Sequence, residues 1–505
     1  MTTEKQTTTW TTIIIGTGFG GQCAAMKLQK MGVTDYVMLE RRDFMGGTWC
    51  QNTYPGAAVD VQSPLYSIEA EPYKWSQMFA EQAELQEYTN HVIDKNGLRE
   101  KVRLNTSVES VNWDEQAQQW QVNTNNGTYR AQFLINASGP LSTPMTPNFP
   151  GRETFAGKSF HTNGWDWDYD YKGKRVAIIG SGASAAQAIP AMVDDVAEMH
   201  VFQRTPHWVL PRPDRKFSKL ERWLLGFKPM YKLLRSMIYW GLETRVVGFK
   251  YSEFMLKLAA QRKAERFIKK AITKPELQAA VKPDYTIGCK RILLSTTLYP
   301  ALDQSHVQVH TKDDGIAEIN EKGILTTKGQ QCDVDLIVYA TGYQATDGVI
   351  SYPVTGKNGV TIADQWAEFP RAYLGTAMPN FPNLFIMTGP NTGIGHTSAI
   401  FIIESQLEYI AKSIKHVLDG GKQTIEVKAQ AEADYTDMIH SEMDKTVWKT
   451  GGCNSWYQSN SGHVIAMFPG FSFSYKRLAA KFVADHHEIT VGVSNGALEA
   501  LPEAA

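Results

Sequence analysis

A chain of 505 residues has room for two or three domains. Its 43% hydrophobic and 20% charged content is that of a globular protein, and a net charge of -1, from 51 basic and 52 acidic residues, leaves no global field for nucleic acid or an anionic membrane. The five cysteines, Cys23, Cys50, Cys289, Cys332 and Cys453, are scattered and form no C-x-x-C pair, so reduced, isolated thiols in a reducing compartment are expected, with no metal site and no dithiol centre.

The segment from Met1 to Thr9 is polar and lacks the apolar core of a secretion signal. No run of about 18 apolar residues occurs, so no spanning helix and a cytoplasmic location are expected. From Trp10 to Gly16 the chain reads as a short buried strand, then a glycine-rich turn, a helix from Gln22 to Met31, and a second strand from Val37 to Glu40. The turn Gly16-Thr17-Gly18-Phe19-Gly20-Gly21 matches G-x-G-x-x-G. Gly16 permits the tight turn, Gly18 lets the backbone approach a pyrophosphate, and Gly21 lets helix and strand pack closely. Glu40 ends the second strand, where a carboxylate accepts hydrogen bonds from a ribose diol. Such a unit holds FAD or NAD, and the spacing does not choose between them.

Leu134 to Gly139 is a buried strand ending in glycine, followed by a proline-rich stretch from Pro140 to Pro150. A similar strand recurs from Asp335 to Gly342. Both read as crossings between two domains, the second inserted in the first. The inserted domain opens with a strand at Arg175 to Ile179, the turn Gly180-Ser181-Gly182-Ala183-Ser184-Ala185, a helix from Ser184 to Val193 and a strand from Met199 to Gln203. That second strand ends at Arg204 instead of a carboxylate, and a guanidinium pairs well with a 2′-phosphate, so NADPH is favoured over NADH. Two dinucleotides in one chain indicate a flavoprotein oxidoreductase, with hydride passing from NADPH to FAD.

Between Pro213 and Lys282, Leu220, Leu224, Phe227, Tyr231, Leu234 and Ile238 fall near helical spacing, broken at Gly226 and Pro229. A helical subdomain packed on the second domain is expected; the alternative is a basic amphipathic helix lying on a membrane. His486 and His487 are expected at the surface, and the tail beyond Gly496 is expected to fray.

Three further patterns carry a family resemblance. Phe155-Ala-Gly157-Lys-Ser-Phe-His161-Thr-Asn-Gly-Trp165-Asp166 matches F-x-G-x-x-x-H-x-x-x-W-[P/D]. Gly46-Gly47-Thr48-Trp49-Cys-Gln-Asn-Thr-Tyr54-Pro55-Gly56-Ala-Ala-Val-Asp60 resembles [A/G]-G-x-W-x-x-x-x-[F/Y]-P-[G/M]-x-x-x-D, and Cys289-Lys290-Arg291 looks like a short basic motif. Together they resemble the type I Baeyer–Villiger monooxygenases from Ile13 to about Tyr475. The stretches after Arg291 and from Gly389 to His396 depart from the better-known members.

The resemblance implies an α/β fold of two Rossmann-like domains, the NADP domain inserted in the FAD domain, plus a helical subdomain. The expected limits are 1–147 and 343–505 for the FAD domain, 148–212 and 285–342 for the NADP domain, and 213–284 for the helices. Arg291 is the expected active-site arginine and Asp60 its carboxylate partner. Gly16, Gly18, Gly21, Glu40, Thr48, Trp49, Asp60, Tyr66 and Val108 are the expected FAD contacts. Ser181, Gly182, Ala183, Ser184, Ala185, Gln187, Arg204, Thr205, Lys290, Arg291 and Trp456 are the expected NADP contacts, while His161 belongs to the linker. Trp49 and Tyr54 are read equally as core aromatics or direct contacts. The implied reaction inserts one oxygen of O2 beside a ketone carbonyl through a C4a-peroxyflavin anion, which needs a cation beside it. Competing readings are a flavin monooxygenase acting on sulfur or nitrogen, a pyridine nucleotide–disulfide reductase, which needs a second cysteine near Cys50, and a non-catalytic flavin sensor.

Overall fold

The computed structural model describes residues 8–344 and 350–491; the tail beyond Gly496 and residues 1–7 lie outside the described residues. In the first sheet the strand order is Val354–Thr355, Val108–Asp114, Gln119–Thr124, Gly127–Asn136, Thr8–Ile15, Tyr36–Leu39, Val102–Arg103. Thr8–Ile15 runs parallel to both neighbours and sets Ile14 against Ile135 and Met38. Ile13, Ile14 and Ile15 are buried, as a strand covered on both faces requires. Leu384–Ile386 adds to the same sheet beside Leu134–Asn136.

The second sheet is parallel throughout, in the order Val307–His310, Glu198–Phe202, Arg175–Ile179, Leu336–Tyr339, Lys158–His161. An antiparallel trio, Ile316–Asn320, Gly323–Thr326 and Gln331–Asp333, covers it by packing Ile319, Ile324 and Cys332 on Ala177, Ile179 and Phe202. The chain leaves the first sheet after Asn136 and returns after Tyr339. The two connections run side by side: the Met145 N–H donates to the Gly342 carbonyl (2.9 Å), and the Gln344 N–H to that of Thr143 (3.0 Å). The second body is thus inserted in the first through a two-stranded ribbon.

The helices after Pro213 differ from expectation in the body they cover, not in where they break. They break where Gly226 and Pro229 stand, into Lys219–Leu224 and Lys228–Glu243. The longer helix packs on the first body, placing Tyr231, Tyr239 and Leu242 in its core. Buried Arg235 anchors it, donating to the carbonyls of Pro64, Leu65 and Ser67 and pairing with Glu404 (3.3 Å). Only the later part, with Phe249, Leu256, Ala264 and Ile268, joins the second core. A buried guanidinium needs acceptors, and the loop at 64–67 supplies them. His487 is likewise buried and not at the surface: in His487–Val491 it points inward and meets the Tyr409 hydroxyl at 2.7 Å.

Candidate active site

The first glycine turn lies at the C-terminal end of Thr8–Ile15 and opens onto a cleft of about 410 Å³. Gly16 has φ +101°, and a Cβ there would sit 2.5 Å from the Ala137 carbonyl oxygen; a Cβ on Gly21 would sit 2.0 Å from that of Gly16. Helix Phe19–Lys30 follows with Gly18 as its cap and no side chain bonded to its first amides. Those N–H groups and the helix dipole form a cradle for a pyrophosphate. Glu40 is 4% exposed yet lines the cleft. It accepts from the Thr17 hydroxyl (2.6 Å), and from the N–H groups of Thr17 (3.2 Å) and Arg42 (3.1 Å). These bonds fix the carboxylate for a ribose diol. Thr48, Trp49, Tyr66 and Val108 line the same cleft, so these donors and this shape fit FAD. Gly21 lies behind the turn, where it serves packing.

The G-G-x-W segment explains its own spacing. Gly47, at φ +64°, presses on Gly18, where a Cβ would come 2.7 Å from the Gly18 Cα. Thr48–Gln51 makes one helical turn. Trp49 donates to the Tyr66 hydroxyl (3.2 Å) on the cleft wall, whereas Tyr54 is buried and donates to Gln187 (2.7 Å) in the inserted body. Gln187 in turn donates to the Ala58 carbonyl (2.8 Å), so its amide joins the two bodies. The segment ends at Asp60, which receives both Nε (2.7 Å) and Nη2 (2.6 Å) of Arg291 in a fork-to-fork pair. Asp60 holds Arg291 above its ordinary pKa despite burial, with Tyr457 and Tyr66 also acting on the charge. The side chain is nevertheless 43% open to solvent, so this cation is not sealed in a core. Leu293–Leu294, paired with Val209–Leu210, fixes the backbone just past it.

The second turn repeats the first. Gly180 has φ +131° and would bring a Cβ 2.2 Å from the Ala340 carbonyl oxygen. Helix Ala183–Met192 starts at Gly182, again with no side chain on its first amides. Ser181 donates to the Thr205 carbonyl (2.6 Å), tying the turn to the strand end that carries Arg204. Burial and then the neighbouring Arg204 push the Lys290 ammonium below its ordinary pKa; burial and then Lys290 push His207 to about 4. Two cations held together beside a helix N-terminus fit a phosphate, and so the 2′-phosphate of NADPH. Trp456 is 45% exposed and packs edge-on against Tyr457 (4.7 Å between centroids).

His161 lies at the end of the edge strand Lys158–His161, beside the crossing, and accepts from the Asn163 N–H (3.0 Å). Trp165 is buried against Phe160, and Asp166 pairs with Lys158 (2.5 Å), so these residues of the fingerprint build the connection, while Asn163 between them lines the cleft. Sequence reasoning missed Thr17, Tyr457 and the pairing of Cys289 with Cys453. The expectation of five isolated thiols is therefore corrected. A separation of 164 residues left no trace in spacing, and only the fold brings the two together. The bond fastens the residue preceding Lys290-Arg291 to the one three before Trp456. Cys50 stands unpaired, so no cysteine pair faces the flavin cleft.

Residues 13–224 match the pyridine nucleotide-disulphide oxidoreductase family model. A Baeyer-Villiger monooxygenase of Pseudomonas aeruginosa is 42% identical over 482 residues, 94% of this chain and 91% of that protein. Closed cyclohexanone monooxygenase superposes with a TM-score of 0.86 at 28% identity, over 96% of this chain and all of the other. OTEMO in complex with FAD and NADP gives 0.87 at 26% identity, over 95% and 99%.

Proposed function

The chain belongs to the Baeyer–Villiger monooxygenases, and from that premise we propose how its own residues serve the reaction. The enzyme uses FAD and NADPH to insert one oxygen atom of O2 beside the carbonyl of a ketone, giving an ester or lactone. When bound, FAD supplies the oxygen chemistry and NADPH the hydride that drives it. The Asp60–Arg291 pair carries the assignment of roles. Arg291 keeps its proton at any working pH and offers Nη1, unused in the pair, to negative charge that develops on the carbonyl oxygen. Asp60 orients the fork and balances its charge while no anion is present. Lys290, Arg204 and Thr205, with the turn from Ser181 to Ala185, bind the NADPH phosphates; Gln187 instead joins the bodies. Thr48, Trp49, Tyr66 and Val108 line the flavin site, Glu40 holds its ribose, and Trp456 covers the nicotinamide nucleotide. We assign 1–147 and 343–505 to the FAD domain and 148–212 and 285–342 to the NADP domain, with 213–284 as helices. A cytoplasmic location accompanies this reading, supported by the need for a regenerated NADPH pool.

The deciding experiment pairs product analysis with rapid kinetics on a panel of ketones and sulfides. Arg291→Ala should still reduce its flavin with NADPH but yield no ester. Normal ester formation by that variant removes Arg291 from the chemistry.

A second reading concerns the helices of 213–284. Among the described residues no helix is long and apolar enough to cross a membrane. Trp223, Phe227, Met230, Leu233, Met237 and Trp240 nevertheless stand exposed at helical spacing, continued by Phe254 and Met255. Lys219, Arg222, Lys228 and Lys232 flank them, also exposed. Apolar side chains ringed by cations suit peripheral docking on an anionic lipid surface. Co-sedimentation with anionic but not neutral vesicles, lost in Trp223→Ser/Met237→Ser, is expected; no binding at low salt overturns it.

A further inference from the structure

In the inserted body, three strands bring His200, His310 and Cys332 together. They come from Glu198–Phe202, Val307–His310 and Gln331–Asp333, and all three are buried. Their donor atoms lie within 4.8 Å of one another. The His200 Nδ1 is 3.1 Å from the His310 Nε2, and the Cys332 Sγ is 3.8 Å from that same nitrogen. A tetrahedral zinc with ligand bonds of about 2.0–2.3 Å sets its donors roughly 3.3–3.6 Å apart. We infer that His200, His310 and Cys332 form a binding site for one zinc-type divalent cation, outside the catalytic machinery.

The outer nitrogens of the two rings strengthen the assignment. The His200 Nε2 faces Glu198 at 3.1 Å, and the His310 Nδ1 faces Asp314 at 4.0 Å. Each carboxylate favours a proton on the nitrogen it faces. With both protons placed so, the two inner nitrogens are lone pairs aimed at one region, where Cys332 adds a thiol. Without a cation the two inner nitrogens share one proton, and the ring that gives it leaves its outer nitrogen as a lone pair. Phe202 stacks on His310 at 4.4 Å and 10°, holding that ring in plane. Two imidazoles and one thiolate are the donors that borderline cations of the zinc type prefer, with a water completing the four. Binding takes one proton from the Cys332 thiol and leaves both imidazoles neutral. The cation would staple the antiparallel trio to the strands Glu198–Phe202 and Val307–His310.

The test uses the full-length holoenzyme, stripped with chelator and titrated with Zn²⁺, then with Co²⁺ as the spectroscopic probe. One equivalent of Zn²⁺ should bind and raise the melting temperature. Co²⁺ should show thiolate charge-transfer and tetrahedral ligand-field bands. Cys332→Ser should lose the charge-transfer band, and His310→Gln should weaken binding about tenfold or more. Glu198→Gln touches no donor atom and keeps the core intact, so an intermediate loss there supports the site even if the other two fold poorly. Failure of the wild type to take up either metal, or equal uptake in Cys332→Ser and His310→Gln, overturns the inference.

Discussion

Arg291 spends two of its donors on a carboxylate 231 residues away in sequence, and the geometry of that fork determines what each substitution removes. Arg291→Lys keeps the charge but cannot make two parallel bonds. Ester formation should therefore fall by about 10²-fold or more, while NADPH still reduces the flavin, as stopped-flow absorbance can follow. Asp60→Asn leaves the guanidinium without its counter-charge; the same assay should show a loss of ester formation with bound flavin retained. At the second nucleotide turn, Lys290 stands close enough to Arg204 for the two charges to act on each other, the pairing proposed above to hold a phosphate. Arg204→Ala should raise KM for NADPH by roughly 10–100-fold and leave KM for NADH nearly unchanged, because only NADPH carries the 2′-phosphate. Equal effects on both cofactors would move Arg204 out of that role. These residues were legible because each is tied to a local pattern: a strand end, a glycine turn, a basic triplet. Tyr457 and Thr17 were not, since their importance comes from what the fold sets beside them.

At the scale of single elements, the segment Gly389 to Ser398 leads into helix Ala399–Asp419 and buries His396 against Glu243 (3.1 Å). Glu243 also receives the Ser472 N–H (3.2 Å) and the Ser472 hydroxyl, so one carboxylate from the helix Lys228–Glu243 fastens two distant loops. Glu243→Ala strands a buried imidazole. It should destabilise the fold by about 3 kcal/mol, visible as a lowered melting temperature with unchanged cofactor preference. The sequence pattern showed that a helix runs through Tyr231 and Ile238, and where it breaks. It did not show which body the helix covers, because that choice rests on Arg235 and Glu243 finding partners hundreds of residues away in the chain. Periodicity reports one face of an element; the acceptors waiting opposite that face belong to another part of the molecule.

At the scale of the whole molecule, buried histidines set the response to acid. Burial depresses His207 and His487 to about 4, and depresses His161 and His440 as well. Unfolded, each titrates near 6.5, so between 6.5 and 4 the unfolded chain binds more protons than the native one. Stability should be flat above about pH 7 and fall as pH drops through that window, which melting temperatures taken across the range can check. A melting temperature unchanged down to about pH 5 would contradict it. The two-body plan itself was readable, since both nucleotide turns and both crossings carry strong local signals. The meander of Val108–Asp114 and Gln119–Thr124, which widens the first sheet, left a weaker mark, because its strands alternate apolar and polar residues over short spans.

The bond between Cys289 and Cys453 closes a covalent ring that contains the return crossing from the inserted body. A protease that severs any one peptide bond within that ring cannot divide the polypeptide. The nicked molecule should migrate as one band on a denaturing gel, then separate into two fragments once a reductant is added.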